Sequence, residues 1–200
     1  MNLPTALTVS RIALCPLFVL IYLYPHFFGL GTLGQTLALF FLVVFILVTD
    51  ALDGYLARKL RKVTNLGKLL DPMSDCIAFL SIFFSFTQKP IELPLFLPLI
   101  MMVREIVVVY LRSLVALRRE AMAARFSGKL KTAAQSTAVI ATLMMMLFYH
   151  FGWIELETLQ TLALTFMAIA AATSIASLVE YGISCKEVIY DSFRSPSNEI

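Results

Sequence analysis

Four aspartates interrupt a stretch that is otherwise rich in hydrocarbon side chains: TDALDGYLARKLRKVTNLGKLLDPMSDC, running from Thr49 to Cys76. Asp50, Asp53, Gly54 and Ala57 stand at i, i+3, i+4 and i+7, which is one stripe of a helix. Gly67, Asp71 and Asp75 follow at i, i+4 and i+8 and form a second stripe. On antiparallel neighbouring helices the two stripes meet at one depth. Four carboxylates crowded in a low dielectric repel one another, and burying them uncompensated costs several kcal/mol apiece, so the pattern demands a cation. The donors on these stripes are all oxygens, with no His or Cys, which selects a hard divalent ion such as Mg2+ or Mn2+; four carboxylates suit a pair of ions. Gly54, Ala57 and Gly67 leave backbone uncovered beside the acids, where a flat or bulky group such as a nucleotide can approach. Arg58, next to Ala57, is placed to hold a phosphate bidentately. Interfacial pairing with Arg58, Lys59, Arg61 and Lys62 would explain one such Asp, but not four on matched stripes.

The elements that must position these acids are membrane helices. The 200 residues are 60% hydrophobic and only 14% charged, with a mean hydropathy of +0.85, which excludes an ordinary soluble domain. Apolar runs of about 20 residues, the length that crosses a bilayer, fall at 10–29, 35–57, 70–88, 93–117, 132–151 and 156–182. The fold class expected is therefore all-α and integral to the membrane, with six transmembrane helices in one domain over residues 1–185 and a polar tail over 186–200. The opening MNLPTALTVSR carries Leu3, Leu7 and Val9 between polar residues, which predicts a short amphipathic helix in the interface before the first span. No basic stretch precedes that span and no small-residue cleavage site follows it, so it is not expected to be a cleaved signal. The segment RREAMAARFSGKLKT predicts a second interfacial helix, broken at Ser127-Gly128, and Pro72 is expected in the first turn of the third span.

All of the 16 Lys and Arg except Lys89 fall on segments that drain to one side. The positive-inside rule then places both termini, and the acids, in the cytoplasm. The net charge of +3 accompanies no nucleic-acid recognition motif, so nucleic acid is not an expected partner. Cys15, Cys76 and Cys185 are too scattered for a disulfide framework, and His26 and His150 do not suggest a metal pair.

The run Asp50-x2-Asp53-Gly54-x2-Ala57-Arg58-x8-Gly67-x3-Asp71-x3-Asp75 resembles the complete signature of the CDP-alcohol phosphatidyltransferase family, with every position filled. The resemblance implies a six-span homodimer in which Asp50, Asp53, Asp71 and Asp75 hold two metal ions. It also implies that Gly54, Ala57 and Gly67 admit the cytidine nucleotide, Arg58 holds its pyrophosphate, and Asp75 serves as general base.

A second polar set points to the acceptor. Arg104 and Glu105 fall near the middle of the fourth span, where a charge on an isolated helix costs about 2.5–3.5 kcal/mol or more. Glu105 and Arg112, seven apart, share a face and could form a structural network within the bundle. Lys129, Lys131, Thr132 and Gln135 open the fifth span, with Lys131 and Gln135 at i, i+4. Together with Arg104 and Arg112 they could assemble a cationic pocket for an acceptor that carries a phosphate. The patterns LPTALTVSRI, RE followed by an Arg, and GKxKTxxQ are similar to those of the bacterial members that use CDP-diacylglycerol and glycerol 3-phosphate, which implies the bacterial inner membrane. Other members take inositol phosphate, phosphatidylglycerol or serine. A cation channel or transporter, the reading from a different class, fits less well: the acids cluster at one side, and no inverted repeat is evident.

Overall fold

The computed structural model describes residues 3–59, 65–117, 126–186 and 190; for 3–9, 51, 53–59, 65–72, 114, 116–117 and 126 it describes the backbone alone. Six long helices carry the fold: α1 (Leu3–Leu23), α2 (Thr32–Lys59), α3 (Asn65–Ser85), α4 (Phe96–Leu117), α5 (Phe126–His150) and α6 (Leu156–Ser184). No strand occurs among the described residues. Helix is what an apolar chain must adopt where water cannot satisfy its backbone. Punctuation sets the ends. α1 gives way to a 3-10 turn over Pro25–Phe28 closed by Gly29 at φ 64. α5 stops at Gly152, whose φ of 74 lets Trp153 N–H reach the Phe148 carbonyl at 3.0 Å, a left-handed cap that suits glycine.

The helices alternate in direction and close into a ring in which α1 packs on α2, α2 on α5, α5 on α6, α6 on α4, α4 on α3, and α3 back on α1. The aspartates therefore gather at one end of the bundle, with the start of α1 and the end of α6. At the other end Tyr22 Oη donates to the Gln88 carbonyl at 3.1 Å, and Gln160 Nε2 donates to the Pro90 carbonyl at 2.9 Å, which ties the α3–α4 connection to α1 and α6. Between the ends lies an apolar core. Phe18, Tyr22 and Phe86 interlock there with ring centroids 5.8–6.4 Å apart.

Three stretches are long and apolar enough to cross a membrane by length and composition: Thr32–Asp50, Ser127–His150 and Leu156–Ser184; Ser10–Leu23 and Met73–Ser85 are shorter apolar helices. Three local expectations need correction. The N-terminal segment is not a separate interfacial helix, because α1 runs unbroken from Leu3 to Leu23; Thr8, Val9 and Ser10 contain nothing that would stop it. α3 begins at Asn65, so Pro72 lies inside the helix and not in its first turn. α5 continues through Ser127-Gly128, where Thr132 Oγ1 donates to the Gly128 carbonyl at 3.2 Å, since one helical glycine costs only about 1 kcal/mol. The 4–5 connection before Phe126 and nearly all of the tail lie outside the described residues.

Phe86 is fully buried against Phe18 and Tyr22, and lipid cannot refill a cavity inside the ring. Phe86→Ala should cost about 3 kcal/mol, read as a lower melting temperature of the detergent-solubilised protein. An unchanged melting temperature would show that this contact does not hold the helices together.

Candidate active site

The acid end closes around a residue from α1. Arg11 is 1% exposed. Its Nη1 pairs with Oδ1 of Asp50 on α2 and donates to Oδ1 of Asp75 on α3 at 2.7 Å. Asp50 and Asp75 retain 43% and 37% side-chain exposure, so the guanidinium is sealed beneath carboxylates that still face outward. One turn along, Cys15 Sγ donates to the Arg11 carbonyl at 3.1 Å, which leaves that thiol facing backbone.

The cation that the sequence demands is thus met in part by the protein itself. A hard divalent ion nevertheless fits the chemistry of the donors: carboxylates from facing helices already converge on one positive charge, and every donor is oxygen. No three His, Cys, Asp or Glu side chains cluster among the described residues. Asp53 and Asp71 fall on α2 and α3, but their side chains lie outside the described set, as do those of Gly54, Ala57, Arg58 and Gly67.

Beside the acids, α3, α4, α5 and α6 enclose a cleft of about 490 Å³ whose wall carries Asp75, Arg104, Glu105, Arg112, Lys129, Lys131, Thr132 and Tyr181. Its charges are arranged in two ways. Arg104 Nη1 spans both Glu105 oxygens at 3.2 and 3.1 Å, its Nη2 donates to Ser177 Oγ at 2.6 Å, and Lys131 pairs with Glu105 from α5. Two buried cations therefore share one carboxylate that is 14% exposed, a cluster that is paired inside the bundle but keeps one net positive charge. Arg112 instead donates from Nη2 to the hydroxyl of Tyr181 at 2.7 Å, a neutral partner, and Lys129 is exposed. Of the network weighed as an alternative for Glu105 and Arg112, the carboxylate half is filled by Arg104 and Lys131 and not by Arg112. Gln135 does not line the cleft; it is 1% exposed and donates to Ser174 at 3.4 Å in the α5–α6 interface.

Sequence reasoning missed Arg11 and Tyr181. The signal for Arg11 was present, since it is the sole Lys or Arg before Arg58 and precedes an apolar run. Tyr181 had none, being one aromatic in an apolar helix.

Asp75 also lines a narrow adjoining pocket with Arg11 and Asp50, sharing Phe79, Thr132 and Ser136 with the cleft. It thus stands between the acid cluster and the cationic cleft.

Residues 1–176 match the family model for CDP-alcohol phosphatidyltransferase. The chain belongs to the CDP-alcohol phosphatidyltransferase family. Its relatives include proteins named CDP-diacylglycerol–glycerol-3-phosphate 3-phosphatidyltransferase. That of Bacillus subtilis is 38% identical over 149 residues, 72% of this chain and 77% of that protein. That of Pectobacterium atrosepticum is 32% identical over 186 residues, 90% and 92% of the two chains. The Haemophilus influenzae protein is 30% identical over 197 residues, 96% and 98% of the two.

Removing the guanidinium leaves Asp50 and Asp75 facing each other. Arg11→Met should lower stability in EDTA by about 2 kcal/mol, less than the 3–5 kcal/mol of a fully buried pair because both acids are partly exposed. Added Mg2+ should restore part of the loss. Thermal unfolding in detergent with and without EDTA measures this, and an Arg11→Met protein as stable as its parent in EDTA would contradict it.

Proposed function

We infer that this protein is a metal-dependent membrane phosphatidyltransferase that moves the phosphatidyl group of CDP-diacylglycerol to glycerol 3-phosphate, giving phosphatidylglycerophosphate and CMP. Family membership and relatives bearing that activity in their names support the reaction. The observation that carries the site assignment is the position of Asp75, which borders both the acid cluster and the cationic cleft. A phosphorylated acceptor in the cleft would present its hydroxyl to Asp75 from one side, while the CDP-lipid is held from the other.

In the reaction the acceptor oxygen attacks the β-phosphorus of the CDP-lipid, the new O–P bond forms, the bond to CMP breaks, and the hydroxyl proton passes to the Asp75 carboxylate. Asp50, Asp53, Asp71 and Asp75 would hold two Mg2+ or Mn2+ ions, which when bound supply positive charge against the pyrophosphate. Gly54, Ala57 and Gly67 would give the nucleotide close access to α2 and α3, and Arg58 would bind its phosphates. Arg104, Arg112, Lys129, Lys131 and Thr132 would frame the acceptor, with Gln135 supporting them from the α5–α6 interface. A dianionic acceptor beside four carboxylates needs such cations; a serine or choline acceptor would not.

The proposal includes six membrane spans, a site in the inner membrane with both termini and the acids on the cytoplasmic side, and a homodimer. The alternating helix directions and the Lys and Arg distribution support the orientation; the homodimer rests on family resemblance.

Asp75→Asn should slow glycerol 3-phosphate-dependent CMP release by about 10²–10⁴-fold, the usual share of a general base, and Asp50→Asn should abolish it in a protein that still folds. Parent-like turnover in either variant would refute the site. In intact cells an impermeant maleimide should label Glu155→Cys and should reach Ser197→Cys only after lysis. The reverse pattern would turn the site away from cytosolic substrate.

A further inference from the structure

Of the cations around the cleft, two already share one carboxylate. Arg104 and Lys131 both rest on Glu105, so an incoming phosphate would have to compete with a carboxylate for them. Arg112 differs because its described partner is a phenol. Tyr181 accepts from its Nη2 at 2.7 Å, and the ring lies under the guanidinium, with 5.3 Å from Arg112 Cζ to the centroid. A neutral tether fixes an arginine without cancelling its charge. Arg carries about 2 kcal/mol of rotamer entropy, and a hydrogen bond with a face-on aromatic removes much of that freedom before any ligand arrives.

Tyr181 is itself held. It is 0% exposed, and the second guanidinium, Arg104, lies 5.8 Å from its ring centroid. Across from its hydroxyl stands Gly128 on α5, where an added Cβ would come within 3.4 Å of that oxygen. α5 therefore approaches so closely that the phenol has little room to swing away. Both Tyr181 and Gly128 line the cleft.

We propose that Tyr181 is a positioning residue for the acceptor: it holds Arg112 through a neutral phenol, making Arg112 the principal anchor for the acceptor phosphate, while Arg104 and Lys131 are held back by the carboxylate they share, Glu105. This rests on the reading that glycerol 3-phosphate is the acceptor. Tyr181 acts through Arg112 and leaves the donor site, on the far side of Asp75, untouched.

The test uses the full-length enzyme in detergent with CDP-diacylglycerol and glycerol 3-phosphate, measuring both KM values and kcat. Tyr181→Phe, which keeps the ring, should raise the KM for glycerol 3-phosphate by about five- to tenfold while the KM for CDP-diacylglycerol stays within about twofold. Gly128→Val removes no polar group but pushes on the same hydroxyl, so it should shift the acceptor KM in the same direction. The deciding measurement is the double variant: in an Arg112→Gln background Tyr181→Phe should add almost nothing, because its effect passes through the missing guanidinium. Additive losses, or equal losses for donor and acceptor, would overturn the proposal and mark Tyr181 as a packing residue. The proposal is equally overturned if Tyr181→Phe fails to fold and Gly128→Val leaves the acceptor KM unchanged. Absence of any glycerol 3-phosphate-dependent CMP release from the parent enzyme would instead overturn the acceptor reading, and this proposal with it.

Discussion

Charge balance in a medium that cannot solvate charge is the constraint on which this structure turns. An unpaired ion inside a helix bundle costs several kcal/mol, and α1, α2 and α3 meet where Arg11 binds Asp50 and Asp75. The contact joins the first three long helices and fixes which faces α2 and α3 turn towards α1. The apolar core below, with Phe18, Tyr22 and Phe86 at its centre, is compatible with several rotations of a greasy helix. The ionic contact is compatible with far fewer.

The same constraint divides the cleft. Where α4 and α5 must carry charge deep in the bundle, Arg104 and Lys131 are both held by Glu105, which ties α4 to α5. Arg112, two turns further along α4, is steadied by a phenol and keeps its field. Structure and ligand binding make opposite demands on a buried cation, and here they fall to different residues. Asp75 joins the two regions, being bound by Arg11 and also exposed to the cleft. A side chain in that position can be oriented by one site and act in the other.

Much of this was legible in the sequence, and the rest failed for identifiable reasons. The six helices followed from the apolar runs, and two of the aspartates, Asp50 and Asp75, converge as the stripe argument requires. The need for a counter-charge was also readable, but its source was not. Periodicity reports which residues share a helix face and is silent on which face a third helix presents, so Arg11 was given no partner. The pairing of Glu105 failed in a related way: spacing along α4 suggested Arg112, whereas the nearest cations to the carboxylate were Arg104 beside it and Lys131 across the interface. Helix starts slipped by several residues at α3 and α5, because proline and glycine were weighted by their habits in water, while a packed membrane helix accommodates both.

Arg11 also has a consequence for how the protein is made. It is synthesised 39 residues before Asp50 and 64 before Asp75, so α1 is made with a cation whose partners do not yet exist. A lone charge at depth costs about 2.5–3.5 kcal/mol even on the insertion scale, and the arginine can wait at the headgroups by snorkelling until they arrive. The described contacts of Arg11 are complete only once α3 exists. Assembly is thereby given an order: the first helix waits for the third, and the contact between Arg11 and its two acids can close while the helices that supply most of the cleft, α4 to α6, are still to be made.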